Sequence, residues 1–390
     1  MSTFSDGSVY EKLGVRPFIN LAGSLTYFGG FVPSHAVERA MNEANRQYSH
    51  MSDLTDRAGE FVADALGVEA AYITPGGISA LVLSAAGLMA GDDLELMRRL
   101  PDTTGTKNEF VVQAPNKAAE RSYELAGGKV VYAGDNDGCT PEQLEAVIGP
   151  NTVAVAQYYH DPSNYAGGRG SGVLALEKTA EIAHSKGLPL VVDAAVNSRP
   201  LDLFRSLARS GDLVSFGGKY FGAPSATGFV CGKKELIDHV KAHGPVHGNE
   251  TFMSFGRGYK LDRMQIVALV VALDEWLSMD HEQRLRNAER QLSIIEDRLE
   301  GVPGVKTEQV RGEGYDDLVL IIAIGPEAAK TAEQARVELE AGYPSIVAIS
   351  APPTRWKAVP GEGTILVRPY TMADGEEIIV AEKLRRVLTA

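Results

Sequence analysis

The chain has 390 residues, 44% hydrophobic and 23% charged, with 38 Lys and Arg against 51 Asp and Glu for a net charge of −13. A chain of this size buries a large core and divides naturally into one large and one small domain, and its acidic balance, with no basic face, excludes a whole-protein field for nucleic acid. Its two cysteines, Cys139 and Cys231, form neither a disulfide framework nor a metal spacing, and no apolar run resembles a secretory leader or a membrane span, so a cytoplasmic protein is expected.

Residues 1–20 read as an N-terminal arm that ends on a short strand, Phe18 to Leu21. INLAGSLTYFGGFVP follows, rich in Gly and aromatic residues, and reads as a loop. Ser34 caps a helix with Ala36, Val37, Ala40, Met41 and Ala44 at helical spacing; Asp53 to Leu66 is a second helix, ended by Gly67. Ala70 to Thr74 is a strand that runs into Pro75-Gly76-Gly77-Ile78-Ser79-Ala80 and an apolar helix to Ala90. Strand, glycine turn and helix start together make an anion cup, because the backbone N–H groups of Gly76, Gly77, Ile78 and Ser79 have no helical acceptor. A tight turn with a serine cap is the alternative.

Phe110 to Gln113 and Lys129 to Tyr132 are strands on either side of Ala114-Pro115-Asn116-Lys117 and a helix to Gly127. Thr140-Pro141-Glu142 opens another helix with Pro in its first turn. Val153 to Tyr158 is a strand that delivers His160-Asp161-Pro162-Ser163-Asn164-Tyr165. The GGRGSG beyond it does not join a strand to a helix and is not a dinucleotide fingerprint. After a helix at Glu177 to Ser185 come three apolar runs. Leu188 to Val192 ends in Asp193, Leu213 to Phe216 ends in Gly217-Gly218-Lys219, and Gly228 to Cys231 follows the turn Ala223-Pro224-Ser225. Strands alternating with helices over about residues 70 to 235 predict an α/β fold with a mostly parallel sheet. Chemistry in such sheets lies beyond the strand ends, and here two of those ends carry an acid and a lysine, 219 − 193 = 26 residues apart. That pair suits pyridoxal phosphate: the lysine forms a Schiff base with its aldehyde, and the acid keeps its pyridine nitrogen protonated. The plain alternative has Asp193 capping a turn and Lys219 solvated in a loop.

Beyond Ile237, the spacing of His239, His243 and His247 is that of one helix face, but Gly244-Pro245 breaks the helix and no Cys or carboxylate motif accompanies them, so no metal site is expected. The segment Phe255 to Met264 carries Arg257 and Lys260, cations suited to a phosphate or a substrate anion, or simply a basic helix start. Met264 to Gly301 reads as continuously helical. Strands at Leu318 to Ile324, Ser345 to Ile349 and Thr364 to Val367 then alternate with helices in a smaller α+β domain. Arg368 follows the last of them, either as a fork for a substrate carboxylate or as an exposed strand end. The expected division is an arm at 1–20, a large domain at 21–260 and a small domain at 261–390.

VVDAA, SFGGK, the Pro turn and GFVCGKKELI resemble the matching run of fold type I pyridoxal phosphate enzymes, in the group of selenocysteine synthase and D-glucosaminate-6-phosphate ammonia-lyase. The resemblance spans nearly the whole chain and is strongest at 10–90, 175–237 and 255–275. It implies Lys219 and Asp193 as catalytic residues, with Gly76, Gly77, Ile78, Ser79, Asn116, Ser163, Ser215 and Arg257 around the cofactor. It places Thr26, Tyr27, Asn164 and Lys260 near the substrate, to which Arg368 is added as the candidate carboxylate fork. Three positions depart from the group: Asn116 stands where a histidine is common, Ser225 where a glutamine is common, and Phe216 where relatives read Ser-Gly-Gly-Lys, which leaves Ser215 as the replacement phosphate ligand. The implied activity is an α,β-elimination of water and ammonia from a hydroxy amino acid or aminosugar acid, giving a 2-keto acid, in a homodimer or larger homo-oligomer. Racemisation, aldol cleavage and transfer at the β-carbon use the same parts, and a non-catalytic binder of phosphate ligands is the alternative of another class. The acidic balance speaks against a charged-tRNA substrate.

Overall fold

A computed structural model of the chain describes residues 8–117, 119–159, 172–247, 254–311, 318–351 and 363–390. By contact the chain forms a larger unit of residues 29–279 and a smaller unit built from the chain on either side of it. It starts in the smaller unit with strand β1 (Phe18–Asn20).

In the larger unit, the described residues form a sheet of seven strands: β2 (Ala70–Thr74), β3 (Glu109–Gln113), β4 (Lys129–Ala133), β5 (Thr152–Tyr158), β6 (Leu190–Asp193), β7 (Leu213–Gly217) and β8 (Gly228–Gly232). Their order is β2-β8-β7-β6-β5-β3-β4, with β8 alone antiparallel to its neighbours. The central strands are apolar along their length because both faces are covered. Val111, Val155, Val192, Val214, Phe216 and Phe229 face one core with Phe204 and Trp276. Phe110, Val112, Ala154, Val191, Leu213 and Val230 face the other, packed on the helix Gly77–Ala90. From Ala80 onward that helix is buried on nearly every side, which is why it is apolar all round. Since β2 to β7 all run in one direction, their C-terminal ends share one edge, and the candidate residues collect there.

In the smaller unit, β9 (Val305–Arg311), β10 (Leu318–Ile324) and β12 (Gly363–Val367) form an antiparallel sheet with β10 in the middle, and β11 (Ser345–Val347) pairs in parallel with β1. The fully buried β10 meets Leu292, Ile295, Leu339, Val380 and Leu384 from three helices.

The stretch expected as one helix from Met264 is two, Arg263–Ser278 and His281–Leu299. Met279 is extended, and Asp280 restarts the helix by accepting a hydrogen bond from the Gln283 N–H at 2.8 Å. The helix expected before Gly127 is only Glu120–Leu125. The β11 strand stops at Val347, and Ile349 makes an isolated bridge to Leu366.

Candidate active site

Asp193 ends β6 between two partners in register, Tyr158 on β5 and Ser215 on β7. It is buried, and its Oδ1 accepts from the Ala195 N–H at 3.0 Å and the Ser215 hydroxyl at 3.4 Å. Burial pushes the carboxyl up to about 6, while the two donors pull the other way; among the described residues no cation contributes. The backbone stays laced beyond the strand ends, Ala194 N–H to Ser215 at 3.0 Å and Gly217 N–H to Ala195 at 3.1 Å. A 3-10 turn, Gly218–Phe221, then presents Lys219 just past the end of β7. Lys219 is partly buried, and loss of water lowers its amine below the ordinary lysine range.

The glycine turn after β2 sits on these same ends. Gly76 has φ +89°, a conformation that requires glycine, and no side chain caps the helix that begins at Gly77. A Cβ built on Gly228 would fall 2.6 Å from the Phe216 carbonyl oxygen and 2.7 and 2.8 Å from the backbone of Gly76 and Gly77. The Gly77 position faces the Ala195 methyl at 3.4 Å. The cup, the turn after Asp193 and the ends of β7 and β8 are therefore in contact. Ser79 donates its hydroxyl to the Pro75 carbonyl at 2.9 Å, and Ile78 is 56% exposed rather than packed in the core. Gly30 lies on the stem of Lys219, its Cβ position 3.3 Å from that of the lysine. A dry carboxylate without a cation, an uncapped helix start and a desolvated amine fit a ligand that brings a cationic ring nitrogen, a phosphate and a carbonyl carbon.

Other expected residues lie elsewhere. Ser215 serves Asp193 rather than the cup, because the register of β7 turns its hydroxyl to the carboxylate. Asn116 is buried as a clip between β3 and β5: its amide donates to the Tyr158 carbonyl at 2.9 Å and accepts from the Tyr158 N–H at 2.7 Å. Arg257 occupies the turn Phe255–Gly258 and is partly buried, while Lys260 is exposed. Thr26, Tyr27 and Arg368 belong to the smaller unit, where Arg368 donates to the Ala22 carbonyl. Ser163 and Asn164 lie outside the described residues. Of the histidines, buried His243 reaches the Gly91 carbonyl at 3.0 Å, and His247 lies 2.9 Å from Asp56. Sequence reasoning missed the Ala195 N–H as a partner of Asp193, and Tyr220 beside Lys219. The first is a backbone group with no residue signature; the second stood next to the lysine in plain view.

No protein-family model matches the chain. It is similar to 5'-C-glycyluridine monooxygenase-decarboxylase of a Streptomyces species, 29% identical over 346 residues, covering 86% of this chain and 83% of the relative. It is similar to D-glucosaminate-6-phosphate ammonia lyase of Salmonella typhimurium, 25% identical over 393 residues, covering 97% and 98%. A solved structure of D-glucosaminate-6-phosphate ammonia-lyase matches at a TM-score of 0.82 with 23% identity, over 98% of each chain. L-seryl-tRNA(Sec) selenium transferase of Rhizobium meliloti is 23% identical over 287 residues, covering 67% of this chain and 56% of the relative. The resemblance read from the sequence is thus borne out, and the architecture is the fold type I α/β architecture. No helix among the described residues is long and apolar enough to cross a membrane.

Proposed function

We propose that the protein is a pyridoxal phosphate-dependent lyase that removes water and ammonia from a 2-amino-3-hydroxy acid. One observation carries the proposal: Asp193, a buried carboxylate with no cation beside it among the described residues, ends the strand beside the one that leads to Lys219, with an uncapped glycine turn packed against both ends. The helix start at Gly77, with Ile78 and Ser79, would hold the phosphate. Asp193 would keep the ring nitrogen protonated, and Lys219 would hold the aldehyde carbon. When bound, the cofactor supplies an electron sink for the pair left at the substrate's Cα. With the cofactor supplying that sink, Lys219 would accept the Cα proton on Nζ and return it to the hydroxyl leaving Cβ, so that water departs; the released enamine would then take up one water, giving ammonia and a 2-keto acid. Gly30, whose Cβ position lies 3.2 Å from that of Ser225 and 3.3 Å from that of Lys219, would shape the near wall.

Two relatives support the substrate class. By their names, one acts on a phosphorylated aminosugar acid and the other on a glycyl unit joined to a nucleoside. The Streptomyces relative also supports a second reading, oxidative decarboxylation at the same carbon. Arg257 and Lys260 in the larger unit, and Thr26, Tyr27 and Arg368 in the smaller, are proposed as ligands of phosphate, substrate carboxylate or hydroxyls on the sequence reading. A homodimer in the cytoplasm is the proposed setting.

Borohydride reduction of the yellow protein, followed by peptide mapping, should place the pyridoxyl group on Lys219; label on Lys233 or Lys234 would sink the assignment. A panel of D- and L-hydroxy amino acids and aminosugar acids, assayed together for keto acid, ammonia, carbon dioxide and oxygen uptake, separates the two chemistries. No turnover of any member by the labelled protein would favour a binding role.

A further inference from the structure

The residue after Lys219 is aromatic, and the two side chains are in contact. Lys219 Nζ lies 4.9 Å from the centroid of the Tyr220 ring, within cation–π range. The ring has a built seat. A Cβ on Gly217 would come within 3.1 Å of two ring carbons, so the ring rests on bare backbone at the end of β7. The Tyr220 carbonyl accepts from the Ser198 hydroxyl at 2.8 Å, and the Ser198 carbonyl accepts from the buried indole N–H of Trp276 at 2.8 Å. On the other flank the lysine stem meets the backbone of Gly30. Burial lowers the amine below the ordinary lysine range. The charged groups on the elements packed around this turn are Asp193, across from Ser215, and Arg263, Asp274 and Glu275 on the helix against it.

We propose that Tyr220 is a positioning residue whose ring face receives the ammonium of Lys219 whenever the lysine is not joined to the cofactor. The role follows from the charge change. When Lys219 takes a proton from the substrate carbon, a neutral amine becomes a cation in a partly dry site. A carboxylate there would clamp the ammonium and hold its proton too tightly; the ring quadrupole stabilises the cation more weakly and leaves it free to swing back. The inference rests on the cofactor reading of Lys219, but its test does not depend on turnover.

The test uses the full-length chain, stripped of cofactor, as wild type, Tyr220→Phe, Tyr220→Leu and Tyr220→Met. Competitive labelling with acetic anhydride across pH, read by mass spectrometry on the Lys219 peptide, gives the pKa of that amine. Phe should stay within about 0.2 unit of wild type, while Leu and Met should fall by about half a unit or more and label faster near neutral pH. Circular dichroism and thermal melts identify a variant that fails to fold, in which case the remaining aliphatic variant decides. An unchanged pKa in the folded aliphatic variants, or a fall in Phe as large as theirs, overturns the proposal. Reduction with pyridoxal phosphate and borohydride keeps the two readings apart. A wild type that takes no label on Lys219 removes the cofactor reading, and with it the catalytic meaning of the contact. A labelled wild type whose aliphatic variants show no shift removes this inference alone.

Discussion

A carboxyl group at the end of β6 loses nearly all its water, and the two donors that reach its Oδ1 are a main-chain N–H and a serine hydroxyl, neither of them a cation. An acid whose folded pKa lies above its unfolded one binds its proton more tightly in the native state. Stability of the cofactor-free protein from this group is therefore fullest below its ordinary 3.8 and is lost as pH rises to about 6. That window corresponds to about 3 kcal/mol. Asp193→Asn removes the titration. Urea unfolding of cofactor-free wild type and variant, compared at intervals from pH 4 to pH 8, should show their difference moving by about that amount in the variant's favour and flattening above about pH 7. A difference that ignores pH would mean the carboxylate is already compensated. With cofactor bound the order reverses: an amide cannot hold the ring nitrogen protonated, so turnover should fall by about 100-fold or more while cofactor is retained.

The glycine turn, the ends of β7 and β8 and the turn after Asp193 work as one packed element, and at Gly228 three backbone atoms lie within 2.8 Å of a built Cβ. Gly228→Ala drives a methyl into the Phe216 carbonyl and the Gly76–Gly77 backbone, none of which is a flexible side-chain end. It should cost about 1–3 kcal/mol and weaken pyridoxal phosphate binding by about tenfold or more, measured by absorbance titration. Gly149→Ala, with nothing within 4 Å of its Cβ position, should change neither by more than about 0.5 kcal/mol. Asn116→Ala breaks the clip to Tyr158 and leaves a partly buried strand-end N–H and carbonyl without it, a loss of about 1 kcal/mol in urea unfolding. These elements differ in how well the sequence announced them. Strands β2, β6, β7 and β8 were legible as apolar runs closed by Gly or Asp, because strands buried on both faces need no alternation. β9, reading VKTEQVR with no fully buried residue, gives no such signal and was missed. The break at Met279 was hidden because helical spacing continues on both sides, and only the cap at Asp280 marks it. Asp193 and Lys219 were legible as residue types at strand ends. The jobs of Ser215 and Asn116 were not, since a hydroxyl or amide at a strand end serves a ligand or a neighbour according to register, which a single sequence does not show.

At the scale of the whole molecule, two properties bear on what reaches the site. The larger unit leaves Val32 at 86%, Tyr48 at 96% and Ile78 at 56% exposure, and closed two-fold assembly is the commonest state of soluble oligomers. Sedimentation should therefore show a dimer or larger species, and a fully active monomer would contradict this. The second property is charge. At −13 the molecule's long-range field repels anions. A phosphorylated aminosugar acid would bring a second strong anion and need its own cation beyond those spent on the cofactor phosphate and the substrate carboxylate. The candidate cations are few. Arg257 is partly buried in its turn, Lys260 is exposed, Arg368 donates to the Ala22 carbonyl, and Arg169 lies outside the described residues. The buried side chain of Asn116, spent on the Tyr158 backbone, offers no positive group. A smaller, unphosphorylated hydroxy amino acid fits this balance better. Its kcat/KM should exceed that of a phosphorylated aminosugar acid, and raising salt from low to physiological strength should narrow the gap by screening repulsion of the more highly charged ligand. Arg368→Ala should raise KM for the preferred substrate by about tenfold or more if its fork holds the carboxylate. Faster turnover of the phosphorylated acid at every salt concentration would reverse the substrate preference and leave the lyase chemistry, which depends on Asp193 and Lys219, standing.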